Sequence, residues 1–165
     1  MNINPELLTI DESDKKNYYK IYYEDEIINF WINKSLCPFG IENEYNKYIL
    51  KIECTNQNII NYILTIEDAI KKRYNLADSQ MKSCIRRTTN VKYNDIIICR
   101  LRTDRYNKVN TVLKYRPETT NYLKTIYELE KNTSLNCLLE ISGVWDLREQ
   151  FNKMGLVITV KNIIM

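Results

Sequence analysis

The chain is 165 residues long, 44% apolar and 27% charged, with three glycines and three prolines. That length buries a core in one domain without disulfide or metal staples, and the composition excludes collagen-like, linker-rich and low-complexity classes. The net charge of +3 conceals a strong polarity. Residues 71–116 hold thirteen Lys or Arg against three acids, a balance of +10, while residues 1–70 stand at −6 and residues 117–165 at −1. So small a net charge does not itself suggest a polyanionic partner, but its concentration in one stretch does.

Residues 1–16, with Pro5 and Asp11-Glu-Ser-Asp14, read as a flexible acidic leader to a single domain over residues 17–165. No apolar run approaches membrane-spanning length, and Met1-Asn-Ile-Asn-Pro5 lacks the basic region and apolar stretch of a signal peptide. A soluble, intracellular protein is expected. Tyr18–Tyr23 and Ile27–Ile32 read as strands around the acidic turn Glu24-Asp25-Glu26, and Ser35–Glu42 as a loop punctuated by Pro38 and Gly40. Lys47–Cys54 alternates as a strand. From Thr55 to Tyr74 the period changes: Ile59, Ile63, Ile66 and Ile70 recur at helical spacing, Thr55 can cap, and Lys71-Lys72-Arg73 match the C-terminal dipole.

Residues 76–90 form a connection bearing Lys82, Arg86 and Arg87. Then comes an unbroken Ile96-Ile97-Ile98 and an alternating run in which Arg100 and Arg102 share one face and Cys99 and Leu101 the other. Asp104–Asn107 reads as a turn, followed by a second run with Lys108, Val112, Lys114 and Arg116 on one face. The pattern predicts a β-hairpin with an apolar side and a cationic side. Thr119–Lys131 has a weaker helical pattern, Leu135–Trp145 a buried-looking strand, Asp146–Met154 a charged loop and Gly155–Ile164 a last strand. This makes six to eight strands with one or two helices, a mainly β class.

The five cysteines (37, 54, 84, 99 and 137) include no CxxC pair, and the chain has no histidine. Neither a metal site nor a cofactor is expected, and Cys54 and Cys99 read as small buried hydrophobes with reduced thiols. Three consecutive acids at 24–26 cannot converge on one ion. No phosphate-binding glycine loop, nucleophile elbow or Cys–His pair exists, so no catalytic residue and no enzyme is expected.

Cys37-Pro-Phe-Gly-Ile41 leading into a strand and a helix, the central basic strands, and Ile141-Ser-Gly-Val-Trp145 followed by Gly155-Leu-Val-Ile-Thr-Val160 occur in that order. Together, over residues 35–165, they resemble the single-stranded DNA-binding proteins of large eukaryotic DNA viruses. The resemblance implies an OB-like β-barrel whose strand face and loops bind single strands by stacking and phosphate neutralisation. Family members commonly coat DNA during replication and recombination. The acidic C-terminal tail through which many recruit partners has no counterpart at Lys161-Asn-Ile-Ile-Met165; either it is lacking or the chain is a piece of a longer one.

Arg100 and Arg102 are the leading candidates for phosphate contact, with cross-strand pairing to acids as the alternative. Arg86, Arg87, Lys92, Arg105, Lys114 and Arg116 follow. Tyr93 and Tyr106, and less so Tyr115, are candidate stacking platforms, where a base is worth about 1–3 kcal/mol. Phe30 and Trp31 point to opposite faces, so Trp31 and Phe39 join the candidates, while Trp145 is expected in the core. The resulting expectation is a non-catalytic protein that coats and protects single-stranded DNA in viral replication and recombination, with little sequence preference. Its expected partners are single-stranded DNA and replication proteins, with self-association open and no membrane. The same surface suits single-stranded RNA, and a basic face also suits an acidic protein partner.

Overall fold

The computed structural model describes residues 3–90, 92–114 and 129–165. Tyr115, Arg116 and most of the second expected helix lie outside them. In chain order the strands are β1 (Leu8–Glu12), β2 (Tyr18–Tyr23), β3 (Ile28–Cys37), β4 (Ile41–Glu44) and β5 (Lys47–Cys54). After helix α1 (Gln57–Arg73) come β6 (Met81–Lys82), β7 (Ile85–Arg86), β8 (Asp95–Leu101) and β9 (Val112–Lys114). The chain closes with β10 (Thr133–Leu147), the short helix α2 (Arg148–Phe151) and β11 (Lys153–Ile164).

The long antiparallel pair β10–β11 carries the rest. On its free edge β10 pairs with β3 through Ile141 and with β2 at Val144 and Trp145. On its own free edge β11 takes β6, β8 and β9 in succession, all parallel. β8 pairs in turn with β5, and β5 with β4. β3 also packs against β5, which brings the two ends of the sheet together. The result is the mainly β, OB-like barrel that the sequence led us to expect.

The alternation of the strands sets the inside of the barrel. Ile28, Phe30 and Ile32 of β3, Ile97, Cys99 and Leu101 of β8, and Leu139 and Ile141 of β10 are buried. All five cysteines are buried and free, and burial pushes the Cys99 and Cys137 thiols far up, so they pack as small hydrophobes. Helix α1 adds Ile60, Ile63, Ile66 and Ile70 to the same core. Its cap is Asn56, not Thr55, with the Asn56 side chain accepting from the Asn58 amide at 3.0 Å. Lys71, Lys72 and Arg73 occupy the last turn, as a dipole-matched terminus requires.

Several expectations are corrected. The leader is not flexible throughout: Pro5–Leu7 makes a 3₁₀ turn and β1 pairs with β2, Leu8 entering the core. The Ser35–Glu42 loop shrinks to the turn at Pro38–Gly40, because β3 runs on to Cys37 opposite Thr133 and β4 starts at Ile41. The charged loop at 146–154 is mostly the end of β10, α2 and the start of β11. Trp145, expected in the core, is half-buried over Gly155, its cross-strand partner, where a Cβ would stand 2.6 Å from the indole.

The cationic hairpin forms only at its turn. Thr103 bridges Val109, and the Asp104 amide donates to Lys108 O at 2.8 Å. β8 then has no free edge to receive a returning strand, since β5 holds one side and β7 and β11 the other. Thr111 steers the chain elsewhere: its hydroxyl accepts from the Arg102 amide at 2.8 Å and donates to Val160 O at 2.9 Å. Residues 112–114 are thereby laid along β11.

Glu67 is the buried acid of α1, accepting from Ser83 Oγ at 2.7 Å and the Cys84 amide at 2.8 Å. Burial raises its pKa against those hydrogen bonds. An acid whose folded pKa is raised favours folding fully below its unfolded pKa and loses that contribution as pH rises through the folded value. Stability against urea should therefore fall as pH rises through that window, and Glu67→Gln should flatten this part of the profile; an unchanged slope in the variant would contradict the assignment.

Candidate nucleic-acid interface

Register decides which side chains share the outer face of the barrel. Directly paired residues project the same way, so Asn29 (β3), Glu140 (β10), Thr159 (β11), Arg100 (β8) and Ile49 (β5) form one row across five strands. Lys47 lies two residues from Ile49 on the same face. The Lys47 ammonium is held below the ordinary lysine value, by desolvation first and by the Arg100 guanidinium second. Arg100 is half-buried, and desolvation lowers its pKa while the nearby Tyr18 opposes the shift. Among the described residues no carboxylate bonds either cation. Two neighbouring, partly desolvated positive charges without an acid make a place for an anion.

The acids that could have cancelled them are held elsewhere. Glu42 and Glu44 face the same side of β4, with Glu44 directly opposite Lys47. Both turn instead to Lys51, whose Nζ lies 2.5 Å from Glu42 and 3.1 Å from Glu44. Glu42 Oε2 is buried without a well-angled hydrogen bond among the described residues, so the charge contact is what compensates it. Burial works against the Lys51 ammonium, and the two carboxylates outweigh it, leaving its pKa raised. Glu140 is likewise held, by Lys161 at 3.0 Å.

Tyr18 completes this face from β2. The extra residue Ser142 bulges β10 where it leaves β3 for β2, and its hydroxyl lies 2.7 Å from that of Thr159. Burial raises the Tyr18 hydroxyl pKa, opposed by a hydrogen bond with Ser142 and the Arg100 charge, with Glu140 adding to the rise. The approach of β2 depends on Gly143. A Cβ there would stand 2.3 Å from Tyr19 O and 2.5 Å from the Tyr18 ring.

The sequence-predicted residues fall into separate groups. Arg100, Arg102, Arg105 and Tyr106 gather at the end of β8 and the turn after it, with the Arg105 guanidinium 4.7 Å from the Tyr106 ring centroid. Arg86 is exposed and faces outward opposite Ile96, roughly 13 Å along the strand from Arg100. Arg87 is bound to Asp95 at 3.0 Å, the pairing with an acid that is the bland fate of a surface cation. Lys92 and Tyr93 are exposed in the turn before β8, and Lys114 is exposed at the end of β9. Trp31 is 43% exposed on β3, beside a shallow hollow lined by Asn29, Asn56, Asn58 and Ile59. Phe39 is exposed in the β3–β4 turn with Lys51 Nζ 5.7 Å from its ring, but Glu42 and Glu44 give that corner an acidic balance. Arg116 lies outside the described residues. Sequence reasoning missed Tyr18 and Lys47. Lys47 belongs to the acidic part of the chain, and only the β5–β8 pairing brings it to Arg100. Among the described residues no cluster of three or more His, Cys, Asp or Glu could hold a metal ion.

No protein-family model matches the chain, and no curated protein does. Solved structures do. The fold is similar to those of two phage single-stranded DNA-binding proteins. One is gp2.5 of bacteriophage T7, with a TM-score of 0.52 and 10% identity over 84% of this chain and 86% of that one. The other is the C-terminally truncated protein of bacteriophage Enc34, with a TM-score of 0.51 and 11% identity over 96% of this chain and 94% of that one. Both come from bacteriophages, whereas the sequence pieces resembled proteins of eukaryotic viruses. At this identity the likeness is one of fold.

Two outcomes test this geometry. NMR titration of the Lys47 side chain should give a pKa below the ordinary ~10.4. Arg100→Gln should raise it, and so should Lys51→Met, which releases Glu42 and Glu44 towards Lys47; a wild-type value at or above the ordinary one removes the charge pair. Gly143→Ala should cost about 1–3 kcal/mol in denaturant unfolding, as an overpacked contact does.

Proposed function

We propose that this protein binds single-stranded DNA along the outer sheet face, through phosphates at Lys47 and Arg100 and bases on neighbouring tyrosines. The observation that carries the reading is a pair of cations that no carboxylate bonds among the described residues, Lys51 and Lys161 having taken the acids nearby. Cations that meet phosphates release counterions, and exposed rings accept any base because every base has a π-face. Neither interaction reads sequence, so preference among sequences is slight. The similarity of fold to proteins described as single-stranded DNA-binding supports the same reading. On this reading the protein acts by coating, without chemistry of its own. It protects single strands during viral DNA replication or recombination, inside the cell and beside replication proteins.

The experiment is fluorescence anisotropy with labelled oligo-dT, titrated over salt beside duplex DNA and the matching RNA. Single-stranded DNA should bind best, with affinity falling steeply as salt rises. Each phosphate contact contributes about 0.7 to the logarithmic salt slope on a single strand, so Lys47→Gln/Arg100→Gln should weaken binding and flatten the slope by about 1.4. Absence of binding at low salt, or equal binding to duplex and single strand, rejects the proposal. Equal or tighter binding to RNA moves the function to RNA.

A further inference from the structure

Two turns from distant parts of the chain meet beside the Lys47–Arg100 pair. Tyr45 and Asn46 turn β4 into β5 with φ of 52° and 60°, and Lys47 follows directly. The other turn, residues 102–110, follows Arg100 on β8. Asn107 Nδ2 donates to Asn46 O at 3.0 Å and ties one turn to the other. Each bonded asparagine is preceded by a tyrosine, Tyr45 before Asn46 and Tyr106 before Asn107. Tyr45 is 97% exposed and Tyr106 66% exposed.

Tyr45 is the odder of the two. A left-handed backbone favours Gly, Asn or Asp, and for a bulky residue it is an outlier. Folding gains almost nothing from a ring that stays in water, so neither local conformation nor packing accounts for a tyrosine here. The partner turn is held by side-chain hydrogen bonds. Asp104 Oδ1 accepts from the amides of Tyr106 at 2.8 Å and Lys108 at 2.9 Å, and Asn107 closes the turn at φ 60°. Arg105 lies over the Tyr106 ring, so one ring face is taken by a cation. The Asn107–Asn46 bond limits the separation of the Tyr45 and Tyr106 Cα atoms to roughly 17 Å at most, a gap that two tyrosine side chains with a base between them can span.

We propose that Tyr45 and Tyr106 form an aromatic clamp for one unpaired nucleobase, at the end of the path on which phosphates pass Lys47 and Arg100. The Asn107–Asn46 bond sets the width of the clamp, and Arg105 braces the Tyr106 ring. Because stacking accepts any base, the clamp selects for an unpaired base and not for a sequence. A duplex, whose bases are stacked on each other, cannot enter it. The proposal rests on the single-strand reading above and adds a residue, Tyr45, from the acidic part of the sequence.

The test is a double-mutant cycle of Tyr45→Ala and Tyr106→Ala in the full chain, by anisotropy with labelled oligo-dT, with Tyr45→Phe and Tyr106→Phe as controls. Thermal unfolding confirms that each variant folds, as expected for exposed residues. Each alanine should weaken binding roughly five-fold or more, as loss of one stacked base does, and each phenylalanine should bind like the wild type. The double variant should lose much less than the product of the single losses, because both rings hold the same base. Salt slopes should stay unchanged, unlike those of the Lys47/Arg100 variant. Wild-type binding with a steep salt slope but no loss in Tyr45→Ala, or fully multiplicative losses, would overturn the clamp while leaving the single-strand reading intact. No wild-type binding at low salt overturns both.

Discussion

The antiparallel pairing of β10 with β11 is the constraint on which the molecule depends. These two strands supply both edges to which the other elements attach: β3 and β2 on one side, β6, β8 and β9 on the other. Its two irregularities matter as much as its length. The bulge at Ser142 lies where β10 exchanges β3 for β2, and Gly143 beside it admits Tyr18 and the Tyr19 carbonyl to contact distance. The second falls at Lys161, which is left to hold Glu140. A bulge adds twist and re-aims side chains, so both act where the outer face is built.

The outer face owes its positive potential more to the disposition of acids than to the number of bases. Glu42, Glu44 and Glu140 all lie near the row through Arg100, and left alone they would neutralise it. Lys51, with a buried stem and two carboxylate partners, removes two of them, and Lys161 removes the third. An ion pair of this kind contributes little net stability once desolvation is counted. Its consequence is that, among the described residues, these three acids do not bond Lys47 or Arg100.

The aromatic side of the face follows a parallel logic. Most tyrosines of the strands pack against the core, as Tyr19, Tyr23 and Tyr48 do, and so does Tyr62 of α1. Tyr45 and Tyr106 stand on turns held by side-chain hydrogen bonds, of Asn107 in one direction and Asp104 in the other. A rigid platform loses little entropy when a base settles on it, which is why pre-organised turns suit stacking better than mobile loops.

The sequence by itself determined the mainly β class, the bounds of β5, the amphipathic helix, the burial of Cys54 and Cys99 and the inward side of β8. These are local properties: side-chain period and β-branching follow from neighbours along the chain. It also pointed to Arg100, Arg102, Arg105 and Tyr106, which lie close in sequence and stay close in space. Only the tertiary structure decided that the second cationic run would leave β8 for β11, because that depends on which strand edges are already occupied. It alone brought Lys47, from the acidic part of the sequence, to Arg100 and tied the Tyr45–Asn46 turn to the turn that carries Tyr106, and it alone spent Arg87 on Asp95. Charge counted along a chain cannot show which opposite charge will be nearest after folding, since strand pairing brings together residues far apart in the sequence.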